Sequence, residues 1–366
     1  MGNLRTITIV GGGLAGLTLG IGLRRQGIPV TIWEAGHYPR HRVCGEFISG
    51  RGQETLARLG LREQLIQAGA ITSNTAMFLS GNARSPARPL PKPALCISRF
   101  VLDTLLAKMF RDLGGRLRED EPWPKSSCGK GVVRANGRRA HIADDNWIWF
   151  GLKVHASALP LEADLEMHLV HNGYVGLTRL PGNEVDICGL FRRPVNGKGA
   201  RGKQPSLEFH ATPSNRANLP HGWQIAFDGN PPTRLHDRVA KSSIDQTSSC
   251  SVAGLSLRPQ CAADLSELCI GDALTMTPPV TGNGMSMAFE SAELAIEPLV
   301  SYSRGKLDWT HSQQAVARAC DRAFARRLAW ARWLQCMMFS PIFKGPLAAL
   351  VLRSNWLWQT MFTNTR

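Results

Sequence analysis

Thr6-Ile7-Thr8-Ile9-Val10 is an unbroken β-branched run and predicts a short buried strand. Apolar positions then recur at helical spacing from Leu17 to Gln26, until Gly27 and Pro29 stop them. Val30-Thr31-Ile32-Trp33 predicts a second strand, ending at Glu34. Strand, helix and strand make one βαβ unit of about 30 residues.

Further on, helical spacing covers 49–68, strand-like alternation covers 70–80, and a Pro/Arg-rich stretch, 85–93, reads as a loop. Phe100–Leu113 predicts a strong helix, and 114–135 reads as loop. Four alternating segments follow at 148–155, 164–169, 174–180 and 184–191, with turn residues between them. That succession predicts a sheet rather than further βαβ units. Residues 192–222 are Gly/Pro/Asn-rich and basic, which suits a surface excursion. Residues 268–272 read as another strand end, and 284–300 and 315–334 as helices.

Composition narrows the classes. The 366 residues carry 43 Lys+Arg against 28 Asp+Glu, a net charge of +15. A 43% hydrophobic and 19% charged chain buries a core and is not intrinsically disordered. The basic excess admits nucleic acid, an anionic membrane or an acidic ligand. The basic residues form no compact run, and no nucleic-acid motif is present, so nucleic acid is set aside. The nine cysteines form no CxxC pair, and no His/Cys cluster has metal spacing, so no metal is expected. Scattered thiols without a secretory signal suit a cytoplasmic protein. Met1–Thr6 formally fits a myristoylation pattern, but Thr6 already opens a strand. No uncharged apolar run reaches the roughly 18 residues of a membrane span.

The turn Gly11-Gly12-Gly13-Leu14-Ala15-Gly16 carries the chemistry. Gly11, Gly13 and Gly16 fill G-x-G-x-x-G between strand and helix. One glycine allows the tight turn, one lets a pyrophosphate approach the backbone, and one lets helix and strand pack closely. The helix N-terminus then favours the anion. Glu34, followed by Ala35, stands where a carboxylate can accept both ribose hydroxyls. This predicts a dinucleotide without choosing which.

Near the C-terminal third, Gly271-Asp272-Ala273 is followed by Pro278-Pro279-Val280-Thr281-Gly282-Asn283-Gly284-Met285 and a helix. This resembles the second FAD signature of flavoprotein hydroxylases. With His41-Arg42-Val43-Cys44-Gly45-Glu46, Ile97-Ser98-Arg99 and Asn136-Gly137-Arg138-Arg139, the chain resembles the FAD-dependent monooxygenase superfamily. The resemblance is to the branch of geranylgeranyl-reductase-like and halogenase-like flavoproteins. Val252–Leu257 is also similar to sequences from bacterial type III polyketide clusters.

The resemblance implies an α/β fold: a Rossmann-like, glutathione-reductase-like FAD-binding domain, an inserted antiparallel substrate sheet and a helical C-terminal tail. It divides the chain into 1–69 with 95–142 and 259–303 for FAD, 70–94 with 143–258 for substrate, and 304–366 for the tail. It implies that Asp272 binds the ribityl chain and that Pro279 and Gly282–Met285 face the flavin. It also implies that Arg42, Val43, Cys44 and Gly45 run along the flavin, and that Arg99 contacts ribose or pyrophosphate. Two departures stand out. Asn136 replaces the usual Asp before Gly137, and 114–135 is short for the family.

The implied activity is hydroxylation or oxidation of a hydrophobic aromatic, such as a polyketide-derived phenol. It would use NAD(P)H and O2 through a flavin C4a-hydroperoxide. Ene-reduction of an isoprenoid or polyketide C=C bond, or FAD binding without turnover, are the alternatives. Halogenation is set aside: Trp147-Ile148-Trp149 lacks the rest of the tryptophan motif, and no catalytic lysine motif is visible. The two tryptophans read as sheet residues sharing one face. His155, on a predicted strand, is a candidate base for a phenol.

After Arg318 the chain interleaves Arg322, Arg326, Arg327 and Arg332 with Phe324, Leu328, Trp330 and Trp333. That pattern suits peripheral association with the inner face of a membrane, a helical cap over the domains, or both.

Overall fold

The computed structural model describes residues 4–81, 83–124, 129–138, 146–195, 223, 233–340 and 352–365. The chain opens with β1 (Ile7–Val10), α1 (Leu14–Arg25) and β2 (Val30–Trp33), the expected βαβ unit. Then come β3 (Phe47–Ile48), α2 (Arg51–Arg58), α3 (Arg62–Gln67), β4 (Ile71–Ser80), β5 (Ala83–Arg84), β6 (Arg88–Cys96) and α4 (Arg99–Asp112). Short β7 (Arg116–Arg118) and β8 (Val132–Arg134) precede four longer strands, β9 (Trp147–Ser157), β10 (Leu165–Val170), β11 (Gly173–Arg179) and β12 (Glu184–Pro194), of which the last three form a meander. The last part holds α5 (Thr233–Ala240), β13 (Ser243–Ala253), β14 (Leu268–Cys269), α6 (Gly284–Ser303), α7 (Trp309–Met338) and α8 (Asn355–Thr365).

Two sheets result. The first is parallel, in the order β14-β8-β1-β2-β7. Ile7, Ile9, Val30 and Ile32 bury between its helices with Leu17, Phe110 and Phe289. Near-continuous burial of this kind is what a parallel sheet covered on both faces requires. The second sheet runs β13-β9-β12-β11-β10-β4-β6-β3 and is antiparallel except at β10–β4. Phe150, Leu152, Val154 and Ala156 alternate onto one face of β9, where they pack with Trp223 and α5. Trp147, Trp149, Gly151, Lys153 and His155 therefore share the opposite face, as period-2 alternation demands.

Several expectations change. The 85–93 loop contains most of a strand, β6. Along Arg88–Pro89 it pairs with β4, and β3 takes up its other side only at Leu95 and Cys96. Prolines there need not donate across a ladder. The 114–135 loop contributes two short parallel strands, β7 and β8, which the sequence hid because each is three residues long. The 49–68 helix is two helices, broken where Gly60 adopts a positive φ of 58°. Strand β13 is polar and carries a register shift between Asp245 and Cys250, so it shows no clean alternation. The helix expected at 315–334 extends over 309–338. Beyond Val195, the 192–222 excursion lies outside the described residues, as do Arg139 and residues 341–351.

The tail packs onto the body. Arg327 of α7 is buried and donates to both oxygens of buried Glu290 on α6, at 2.8 and 2.6 Å. Arg88 of β6 donates to the Leu352 and Arg353 carbonyls at 2.8 and 2.6 Å, and Trp358 lies against it. Arg192 sits over Trp147 and Phe339, 4.1 and 4.6 Å from their ring centres, tying the second sheet to the end of α7. No described helix is long and apolar enough to cross a membrane.

Candidate cofactor and substrate site

The glycine turn has three different surroundings. Gly11 takes a φ of 107°, and a Cβ there would meet the Ala135 carbonyl oxygen at 2.4 Å. A Cβ on Gly16 would meet the Gly11 carbonyl oxygen at 2.0 Å. A Cβ on Gly13 would meet nothing within 4 Å. The first two glycines serve the fold, and the third faces open space.

Glu34 is buried behind this turn. Its Oε2 accepts from the Gly12 amide at 2.7 Å, and its Oε1 accepts from the Gly36 amide and Arg40 at 3.0 and 2.9 Å. Burial alone would raise its carboxyl, but Arg40 and the two amides hold it below the usual value. Tyr38 donates to the Gly12 carbonyl. Ala35 follows Glu34 at the exposed rim.

Arg99 and Asp103 form a bidentate pair along α4, at 2.7 and 2.8 Å. The Arg99 guanidinium is therefore already engaged. Arg42 and Arg138, like Arg40 beside Glu34, have buried Nε atoms with no hydrogen-bond partner among the described residues. Burial depresses both guanidinium pKa values; the Arg40 and Arg99 charges add to this at Arg42, and the Arg42 charge adds to it at Arg138. Desolvation lifts the Asp272 carboxyl above its ordinary value, against the pull of Arg99 and Arg138. Asn136 lies against the Gly11 turn, where its backbone, rather than a carboxylate, meets the loop.

Pro279–Thr281 forms a single 3-10 turn, and Gly282 continues it in the left-handed region with φ 63°. A Cβ at Gly282 would meet the Phe47 ring at 2.0 Å, so this loop lies directly on the 43–47 segment. Asn283 and Gly284 start α6, with no side-chain cap and no acid in the first turn. The start of α1 is equally bare. Ser286 donates to the Ser49 carbonyl at 2.9 Å, locking the loop to β3.

A cavity of about 200 Å³ opens between this loop, the 43–47 segment and the second sheet. Val43, Cys44, Gly45, Asp272 and Pro279 line one side. Phe78, Met167, Tyr174, Leu190, Leu255 and Leu334 line the other together with Glu166 and Thr178, so the far wall is mostly apolar and α7 helps close it. Gly282, Asn283, Gly284 and Met285 stand behind the lining rather than in it.

His155 is not among the lining residues. It belongs to a buried charged group that the sequence did not reveal. Glu46 is fully buried with a φ of 53°. It accepts from the Arg99 amide at 2.7 Å, from Lys153 Nζ at 2.7 Å and from His155 Nε2 at 2.8 Å. Lys153 is also fully buried, and its Nζ lies 3.3 Å from His41 Nδ1. Asp186 is fully buried, and neither of its oxygens has a hydrogen bond among the described residues. Burial would raise Glu46, but His155 and Lys153 hold it low, while burial and the Glu46 charge push Asp186 well up. Glu46, His155 and Asp186 offer donor atoms within 4.8 Å of one another, yet the Lys153 ammonium already supplies the positive charge there. The signal in the sequence was a lysine and a histidine two apart on a strand that is otherwise apolar.

Residues 5–139 match the family described as "FAD binding domain". A 126-residue segment is 25% identical to conditioned medium factor receptor 1 of Dictyostelium discoideum, covering 31% of this chain and 25% of that protein. The chain thus spans about a quarter of that relative's length. Among solved structures, the flavin-dependent brominase Bmp2 is similar at 16% identity, over 99% of this chain and 93% of that one, with a TM-score of 0.72. The flavin-dependent halogenase CmlS is similar at 18% identity, over 99% and 68%, with a TM-score of 0.67. PqsL, a probable FAD-dependent monooxygenase from Pseudomonas aeruginosa, is similar at 14% identity, over 99% and 100%, with a TM-score of 0.65. Residues 5–139 therefore match an FAD-binding domain, and the likeness of the whole chain to these solved flavoproteins is one of fold.

The residues of this flavoprotein fit FAD on their own chemistry. Open space at Gly13, two bare helix N-termini and two orphaned arginine nitrogens all suit a dinucleotide with an anionic middle. The structural likeness to halogenases is one of fold.

The His41 ring is held down to about 4, first by desolvation and then by Lys153 and His155. A histidine depressed in the folded state binds fewer protons than in the unfolded state between its two pKa values. Folding stability therefore rises with pH through that window, and is lost as pH falls from about 6.5 toward 4. Urea midpoints measured at pH 7 and pH 5 should show a smaller acid loss for His41→Asn than for the natural protein.

Proposed function

We propose that the protein is an FAD-dependent monooxygenase that hydroxylates or oxidises a hydrophobic aromatic, such as a polyketide-derived phenol, with NAD(P)H and O2. The observation that carries this reading is the cavity, mostly apolar on its sheet side and bounded by Cys44, Gly45 and Asp272 on the other. When bound, FAD would supply the redox chemistry and oxygen activation. Gly11, Gly13, Leu14, Ala15 and Gly16, with Glu34 and Ala35, would hold its adenosine and pyrophosphate. Arg42 and Arg138 would meet phosphate charge, and Arg99 would hold Asp103 and the start of α4 in place. Val43, Cys44, Gly45, Asp272 and Pro279 would bound the flavin ring. The bare start of α6 at Gly282–Met285 would direct its positive end at developing negative charge. Leu334 and the mostly apolar sheet wall exclude water and orient the ring of the substrate.

FAD-loaded protein with NADPH and a panel of lipophilic phenols tests this. A phenol-accelerated NADPH oxidation with product heavier by one oxygen is expected. A gain of two hydrogens would establish ene-reduction instead, and halogen incorporation from added bromide would establish halogenation. Tightly held FAD with no turnover would leave a binding protein.

For the tail, Trp333 and Trp356 are 51% and 72% exposed, although α7 also caps the core. Exposed indoles beside arginines suit a lipid headgroup region. Co-sedimentation with phosphatidylserine vesicles should fall for the Trp333→Ser/Trp356→Ser double variant. Equal sedimentation would restrict the tail to its capping role.

A further inference from the structure

On the cavity face of the second sheet, three residues stand directly opposite one another on adjacent strands. His155 of β9 pairs with Asp186 of β12, and Asp186 pairs with Thr178 of β11. Cross-strand partners on one face lie within side-chain reach. Thr178 lines the cavity, as does Cys188, the next residue of β12 on that face. At the other end, His155 joins Glu46, Lys153 and the partly exposed His41.

We propose that this row, from His41 through Lys153, Glu46 and His155 to Asp186, is a proton path between solvent and the substrate cavity. Four observations converge on it. Four ionisable side chains are almost fully removed from water, which costs several kcal/mol per ion and is seldom retained without use. Glu46 holds a positive φ, a strained conformation that clusters at functional sites. The two carboxyl groups are driven in opposite directions, Glu46 toward the base form and Asp186 toward the acid form, the arrangement that separates acid and base roles. The contacts also form an unbroken series: His41 Nδ1 to Lys153 Nζ at 3.3 Å, Lys153 Nζ to Glu46 Oε1 at 2.7 Å, and Glu46 Oε2 to His155 Nε2 at 2.8 Å.

The remaining step, from His155 Nε2 to Asp186 Oδ1, is 3.8 Å. A small rotation of Asp186 closes it, since no hydrogen bond among the described residues restrains its oxygens. In each transfer Lys153 gives a proton to His41 and regains one through Glu46 from His155 Nε2; Asp186 then gives the proton on one oxygen to the vacated Nε2 and receives one on the other from a hydroxyl in the cavity. One proton enters as one leaves, so the buried charge is unchanged. Other charged groups bear on the row. Glu184 Oε2 lies 3.7 Å from His155 Nδ1, Asp245 and Cys250 of β13 stand opposite His155 and Lys153, and the Arg99 amide donates to Glu46. Only the cavity end rests on the phenol reading.

Infrared spectroscopy of the FAD-loaded protein tests the path. A protonated-carboxyl band at neutral pH that disappears in Asp186→Asn is expected. After a jump into D2O, its exchange should slow about tenfold or more in His155→Gln. Absence of the band, or unchanged exchange in His155→Gln, would overturn the proposal. For the cavity end the probe is 4-nitrophenol, which changes colour on ionisation. Stopped-flow ionisation of the bound probe should slow by a similar factor in Asp186→Asn, with its binding nearly unchanged. Equal ionisation rates would also overturn the path. A natural protein that binds no nitrophenol would count against the aromatic reading, and the exchange measurement alone would then decide the path.

Discussion

Glu46→Gln should destabilise the fold by about 3–5 kcal/mol, read as a lowered urea midpoint at pH 7 with an unchanged slope. The amide keeps the shape and can still accept from the Arg99 backbone. What it removes is the negative charge that compensates a fully buried lysine. Breaking one side of such a pair leaves an unpaired ion in a poorly polarisable interior, and this dominates the cost. The second substitution Lys153→Met should therefore recover at least half of the loss, because it removes the stranded ammonium. Asp186 sharpens the expectation. It stands close enough to Lys153 to feel its charge, while burial and the Glu46 charge push its carboxyl well up, toward the acid form. Asp186→Asn should cost little in the natural protein and clearly more in the Glu46→Gln background, where ionised Asp186 would otherwise take over. Additive effects of the two would show that Asp186 and Glu46 do not share the lysine. The pH sign follows from Glu46. Its carboxyl is lower folded than unfolded, so its contribution is full above the ordinary carboxylate value of 4.5 and is lost as pH falls through the folded value.

Gly13→Val should lower FAD affinity by about 100-fold or more while the apoprotein keeps most of its stability. The Cβ of a valine there meets nothing in the protein within 4 Å, and φ at Gly13 is an ordinary −82°. Its folding cost is the weaker helix cap, about 1 kcal/mol. Its binding cost is loss of the close approach that a pyrophosphate makes to the backbone. Gly16→Val is the contrasting case. Its Cβ would stand 2.0 Å from the Gly11 carbonyl oxygen, so the turn itself must move and the apoprotein should unfold at markedly lower urea. Fluorescence titration with FAD and urea unfolding of both apoproteins separate the two effects. Equal FAD affinity in Gly13→Val and the natural protein would remove the pyrophosphate from this turn.

Local signals carried much of this protein. Strict β-branching at 6–10, helical period at 17–26 and the three glycines between them sufficed for the first βαβ unit, because each is decided by neighbours within a few residues. Alternation likewise located the four strands β9 to β12, since one face of each packs on a core. The sequence by itself determined the α/β class and the glycine turn between the first strand and its helix. Where local cues were weak or misleading, it misread the proline-rich β6 as loop and passed over the polar, shifted β13.

Only the tertiary structure decided which charges meet. Arg99, implied as a cofactor cation, also forms a bidentate pair with Asp103, one turn along the same helix. His155, read as a candidate base on a strand, is held by Glu46, more than a hundred residues earlier, away from the cavity lining. Lys153 and Asp186 drew no attention at all, although they stand on neighbouring strands of one sheet face. Strand register and the crossing of the 43–47 segment bring these groups together, and both depend on contacts far apart in the chain. The electrostatics of the site is therefore a property of the packed fold, while the turn that suits its phosphates is a property of a few consecutive residues.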